Sequence, residues 1–428
     1  MHTVRVVGQN ARLLAGVLWL VCALGGPRSA RASDTESALP SPLRPDDVFA
    51  YVHAHRAEIR AARAKAAAAA AVPRMVTALP DPMVMAGLDH LPFKLHGADW
   101  SLLVQQDFPF GGTLGARGRA ADAEARAASA DAQTVQLEVE YQALGVYLMW
   151  VELQRMTAVV EDQLVISRQI LAVTNIRLAV SQAASAEAVR AQTEIARLEG
   201  ERSAINAELA ALRSMLNAAL GRSIPAELPP AELTIPAADP LPSAELARIA
   251  LDKRPELAAM RARIGKAGAN VDVMRSMFNP MAFVRGGYAQ TMTDGPGVML
   301  MVGVTLPVWR DKLNAGVTEA RSMRSMAEAE TDAMTKMIEG EVGAAREQVI
   351  AARIRLVTAR DKVLPLAKQA LLLTLSSYGT GQMPLVSVLD AARMIREARM
   401  EEVVAEVKLA TAWARLGRAL GVAKVGAP

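Results

Sequence analysis

Cysteine is nearly missing from this chain: Cys22 is the only one among 428 residues. It lies in an apolar run, Leu13 to Leu24, that reads as the core of a secretory signal peptide. Arg5 and Arg12 precede the run, and Ala30-Arg31-Ala32 follows as a cleavage site. At 12 residues the run is too short to cross a bilayer as a helix. Val21 is bulkier than the small residue that a lipid-anchored cysteine needs before it, so Cys22 is read as part of the signal. Removing residues 1–32 leaves a mature chain without a thiol, which excludes disulfides and thiolate metal sites.

Aromatic rings are also scarce, at 4% against 52% hydrophobic residues. Rings usually fill thick globular cores, so their shortage disfavours a layered α/β enzyme and suits closely packed helices. Excess charge is missing too. The pI of 9.3 belongs to the precursor. Segment 1–32 holds four arginines and no acid, so taking these from 48 basic residues leaves 44 against 44 acidic ones. A balanced chain gives no electrostatic argument for nucleic acid.

The five histidines offer no catalytic or metal constellation. His53 and His55, at a predicted helix start, would point apart on a helix. His90 and His96 flank a loop with Asp89 and Asp99 and read as solvated side chains. Met323, Met326, Met334 and Met337 fall on helices, where methionine fills gaps, although thioethers also suit Cu(I). Nothing here indicates an enzyme or a cofactor.

What the chain does have is a repeat of about 200 residues. Arg56-Ala57-Glu58-Ile59 returns as Arg254-Pro255-Glu256-Leu257, and Phe108-Pro109-Phe110 as Leu306-Pro307-Val308, both shifted by 198. Leu216 to Gly221 returns as Leu416 to Gly421, shifted by 200. Between the halves, Pro225, Pro229, Pro230, Pro236, Pro240 and Pro242 mark an extended link over 225–242. The expected organisation is a first repeat over 33–224 and a second over 243–428.

Each repeat predicts one very long helix. Val139, Ala143, Val146 and Trp150 start a series in steps of four and three that continues to Leu178. Ile338, Val342, Ala345, Val349, Ala352, Leu356, Ala359, Val363, Leu366, Ala370, Leu373 and Ser377 form the matching series. A sustained spacing near 3.5 is the coiled-coil signature. Extended back to about Gly115 and Asn314, each helix would be roughly 95 Å long at 1.5 Å per residue. Each turns back on itself, near Ser181–Ala184 and at Tyr378–Pro384, making helical hairpins over about 115–221 and 314–421. Pro365, aligned here with Ile166, should kink the second long helix.

Ahead of each hairpin lies a pair of segments that read as strands, about 82–108 and 281–306. Each segment is near the nine to eleven residues that cross a membrane as a tilted strand. Val298, Leu300, Val302, Val304 and Leu306 share one face, with Met299, Met301, Gly303 and Thr305 on the other. Leu102, Val104 and Phe108 oppose Ser101, Gln105 and Asp107. Val284 and Tyr288 oppose Phe283, Arg285 and Gly287. Four strands cannot close a barrel, and an open edge is not tolerated in lipid, so other copies must complete the sheet. The rival reading is a periplasmic coiled-coil adaptor or scaffold, which needs one hairpin and no lipid-facing strands.

These features resemble the TolC-like outer-membrane efflux family over nearly the whole mature chain. Tyr378-Gly379-Thr380-Gly381 followed by Val386-Ser387-Val388-Leu389-Asp390 is similar to the family's second periplasmic turn. Ala78 to Pro82 and Gln106 to Gly112 are similar to the segments around its first strand pair, in wording nearest the copper/silver and cobalt–zinc–cadmium branch. The resemblance implies a mainly α fold with a membrane β portion: a homotrimer with a 12-stranded barrel and a periplasmic helical tunnel. It implies an outer-membrane location, an inner-membrane RND-type pump and a periplasmic adaptor as partners, and export of heavy-metal cations or, alternatively, organic drugs. It places a periplasmic gate at Asp390, with Ser387 where a second acid often stands and Glu187 and Arg190 as first-repeat counterparts. It places adaptor or pump contacts at Tyr378, Gly379, Thr380, Gly381, Ser181 and Gln182.

Overall fold

A computed structural model describes residues 39–89, 99–291 and 295–422. The signal segment 1–32 with Cys22, and His90 and His96, lie outside the described residues. Each repeat begins with two short helices: α1 (Pro45–His55) and α2 (Ala57–Thr77) in the first, α5 (Ser243–Lys253) and α6 (Pro255–Ser276) in the second. His53 and His55 close α1 rather than open a helix. Strands β1 (Met83–Asp89) and β2 (Asp99–Pro109) follow in the first repeat, β3 (Met281–Thr291) and β4 (Gly295–Thr305) in the second. The first hairpin is α3 (Thr113–Ala179) with α4 (Ser185–Leu220). The second is α7 (Arg310–Thr358), a π-helical turn (Ala359–Val363) and α8 (Leu364–Gly379), returning as α9 (Leu385–Ala419).

The strands form one antiparallel sheet in the order β1-β2-β3-β4, so the two repeats meet at its centre. Leu102 pairs with Tyr288 across that junction, and Val284 with Val302 beyond it. Among the described residues, both outer strands, β1 and β4, keep an unpaired edge.

Both returning helices end with a glycine in the left-handed region, Gly221 at φ 79° and Gly421 at φ 77°. There the Arg222 N–H donates to Asn217 O and the Val422 N–H to Gly417 O, closing each helix end. The proline-rich link carries no helix or strand and is held by side chains from distant helices. Arg353 donates to the carbonyls of Pro236 (3.0 Å) and Ala237 (2.7 Å), and Arg346 to Leu241 O (2.9 Å). Tyr147, fully buried, donates to Glu232 O (2.7 Å) and tethers the link to α3.

The second long helix corrects the predicted register. Ile338, Val342, Ala345, Val349, Ala352, Leu356 and Ala359 are all buried as expected. Beyond Ala359 the expected Leu366 and Leu373 are 66% and 62% exposed, while Leu364, Ala367, Leu371 and Tyr378 are buried. The stripe has moved by one residue. The cause is the π turn, in which the Leu364 N–H reaches back five residues to Ala359 O. A π turn carries one residue more than an α turn. It explains the last step in the repeat offset: Val160 matches Ala359 at 199, whereas Leu164 matches Leu364 at 200. The counterpart of Pro365 is therefore Val165, not Ile166.

Pro365 has no N–H, and in a regular helix its ring would press on the carbonyl of residue 361. The widened turn next to it relieves that clash. Deleting Asp361 should restore a regular helix and destabilise the protein by about 3 kcal/mol, the cost of an interior proline. Adding Pro365→Val should recover most of that loss in thermal unfolding. If the single deletion unfolds no earlier than wild type, the link between Pro365 and the π turn is refuted.

Candidate functional site: the hairpin tips and the two faces of the sheet

Alternation along the strands segregates the sheet into two faces. On one, Val84, Leu88, Leu102, Val104, Val298, Leu300, Val302 and Val304 are all exposed, with Val298 at 86%. Trp100 and Tyr288, 5.3 Å apart between ring centroids, sit at one rim of this face. Water does not favour such a surface, and apolar patches of this kind mark membrane or protein contact. The opposite face carries a polar network. Arg285 Nε donates to Gln105 Oε1 (3.0 Å), and Gln105 Nε2 donates to Asp107 Oδ1 (2.9 Å). Phe283 packs over Gly303, where any Cβ would lie 2.1 Å from the ring.

At the far end, the two turns that join the hairpin helices lie together. The first reverses at Ser181, in the left-handed region at φ 60°, and the second at Gly381, φ 81°. Gln182 N–H donates to Arg177 O (2.8 Å) and Gln382 N–H to Ser377 O (2.9 Å), so the turns are built alike. Serine in that conformation is strained where glycine is not.

Arg177 pins the first turn to the second. Its Nη2 donates to Gln182 O (2.9 Å) and its Nη1 to Tyr378 O (2.7 Å), while its guanidinium lies 4.2 Å from the Tyr378 ring centroid. Tyr378 itself is fully buried. Its hydroxyl donates to Glu187 Oε2 (2.9 Å) and reaches Thr174 Oγ1 (3.1 Å). Burial pushes this hydroxyl above the usual tyrosine pKa, so it stays a donor through the physiological range.

The expected tip residues therefore divide. Gly379, Thr380, Gly381, Ser181 and Gln182 are exposed, but Tyr378 shows no surface to a partner. Asp390 is exposed and lies 3.7 Å from Arg393 one turn on. Ser387 is half-buried and Arg190 exposed. Glu187, the first-repeat counterpart of the expected gate, is held by the Tyr378 hydroxyl.

Farther from the tip, α9 carries arginines at every third position facing the first hairpin. Arg393 pairs with Glu194 (3.0 Å), Arg396 with Glu201 (2.9 Å) and Arg399 with Asp162. Gln163, buried on α3, donates to Ala392 O (2.9 Å). Neither Arg177 nor this ladder is marked by a motif. Their partners lie roughly 200 residues away, and only the repeat alignment hints at the match.

Residues 246–422 match the outer membrane efflux protein family. Solved structures of outer-membrane proteins and channels share the fold over most of the chain. VceC of Vibrio cholerae aligns at 18% identity and TM-score 0.74, over 88% of this chain and 96% of that one. CusC aligns at 17% identity and TM-score 0.76, over 88% and 92%. The open-state MtrE outer membrane channel of Neisseria gonorrhoeae aligns at 16% identity and TM-score 0.75, over 89% of each. Among curated protein sequences, none matches. The efflux-protein match spans α9 and the second turn, so it covers the Asp390 and Tyr378 end of the tip as well as β3 and β4. Among the described residues, no helix is long and apolar enough to cross a membrane.

Proposed function

We propose that this chain is the outer-membrane channel subunit of an export system. Three copies would close one barrel of twelve strands, four from each, and the helical hairpins would continue as a tunnel into the periplasm. The observation that carries this reading is the sheet. It has two open edges and one face of exposed valine and leucine, which lipid and neighbouring copies satisfy and water does not. An adaptor would need neither feature.

The hairpin tips would form the periplasmic gate, with Asp390 near the axis and the exposed turn residues available to an adaptor or an inner-membrane pump. The likeness of Ala78–Pro82 and Gln106–Gly112 to the copper/silver and cobalt–zinc–cadmium branch supports a heavy-metal cargo rather than organic drugs. Mass analysis of the purified protein in detergent should give three copies. A stable, detergent-free monomer would refute the proposal.

A further inference from the structure

Methionine is distributed unevenly over the sheet. Met83, Met85, Met281, Met299 and Met301 all share the face of Gln105 and Arg285, and among the described residues the apolar face has none. On a wall lined by Gln105, Asp107 and Arg285, gap-filling in a core does not account for them. Met83, Met281, Met299 and Met301 are between 39% and 58% exposed.

Four of the five form two Met-x-Met pairs, Met83/Met85 on β1 and Met299/Met301 on β4. Residues two apart on a strand project to the same side about 6.8 Å apart. The methionine side chain has enough rotatable bonds to bring both sulfurs of a pair to one ion. The register sets Met83 level with Met301 through Gln105 and Arg285, and Met85 level with Met299 through Leu103 and Gly287. Because β1 and β4 are the edges, closure by further copies joins β4 of one to β1 of the next. Every seam then receives one pair of each kind.

Thioether sulfur is a soft ligand that selects Cu(I) over the hard ions preferred by carboxylate and water. Arg285 stands directly opposite Met301 and repels a singly charged ion half as strongly as a divalent one. Through Gln105 it is also linked to the Asp107 carboxylate. We propose that Met83/Met85 and Met299/Met301 form thioether sites on the inner wall of the barrel for monovalent d10 cations, the Ag(I) and Cu(I) class. This rests on the channel reading, which makes that face lumenal.

The test uses full-length protein in detergent, equilibrated with silver nitrate and, separately, zinc chloride, with bound metal measured after dialysis. Wild type should bind Ag(I) and not Zn(II). Replacing Met83, Met85, Met299 and Met301 by leucine keeps the volume and should weaken Ag(I) binding ~10-fold or more, the scale on which even outer-shell changes alter metal sites. Replacing Met323, Met326 and Met337 on α7 by leucine should leave binding at the wild-type level. Unchanged binding in the sheet variant, or an equal loss in the α7 variant, overturns the proposal. If the fourfold variant does not assemble, the two pairs are replaced separately, and either one must lower Ag(I) binding. A wild-type trimer that ignores Ag(I) defeats this inference alone, whereas a wild-type monomer defeats the channel reading itself.

Discussion

Leu300→Arg is expected to abolish assembly of the barrel, whereas Met299→Arg, one residue earlier, should leave it intact. Leu300 is the middle residue of β4 and is 75% exposed on the apolar face. Arginine at the midplane of a barrel's lipid face costs about 2–4 kcal/mol per copy, and the cost falls toward the interfaces. Three copies bear that cost together. Val302→Arg, two residues nearer the strand end, should therefore impair assembly less. Met299 faces the polar side, opposite Gly287, so an arginine there meets water and has no like charge directly across from it. Met301 is a poorer control, because Arg285 lies directly across from it and like charges so placed are destabilising. The check is oligomer mass in detergent and resistance of the folded band to sodium dodecyl sulfate at room temperature. Equal behaviour of Leu300→Arg and Met299→Arg would show that the two faces are misassigned.

Arg177→Ala should release the two hairpin tips from each other. The guanidinium makes hydrogen bonds to two backbone carbonyls, one in each turn, and stacks on Tyr378. Hydrogen bonds from a charged donor are worth about 1.5–3 kcal/mol each, and the cation–π contact roughly 0.5–2 kcal/mol. Losing them should leave the two turns linked through the Tyr378 hydroxyl and its contacts with Glu187 and Thr174. Amide hydrogen exchange across 176–190 and 376–390 should rise, and single-channel recordings should show higher resting conductance. Asp390→Asn should act differently. Asp390 is exposed and pairs only loosely with Arg393, a contact worth roughly 0–1 kcal/mol. Its loss should lower cation preference while leaving tip exchange unchanged. If Arg177→Ala changes neither exchange nor conductance, the tip network is not a gate lock.

The sequence alone determined the parts that repeat locally. The heptad spacing from Val139 onward, the alternation from Val298 to Leu306, and the prolines from Pro225 to Pro242 each reflect a periodicity or a backbone restriction visible within a short window. The first two became α3 and β4, and the prolines keep 225–242 free of helix and strand. The polar direction of Arg285 was legible for the same reason, since strand alternation needs no partner to be read.

Only the tertiary structure decided how those parts meet. One extra residue in the π turn moved every buried position after Ala359, and a heptad series extended at constant spacing carries no sign of such a step. It placed Tyr378, a residue expected on the tip surface, inside the junction between hairpins, because Glu187 and Thr174 across the repeat offer its hydroxyl partners. It joined β2 to β3, and so set Gln105 beside Arg285 across a sequence separation of 180. Pairings of this range depend on how the helices dock. Periodicity fixes which face of a segment is buried, and the partner on the other side of that face is fixed only when the two repeats pack together.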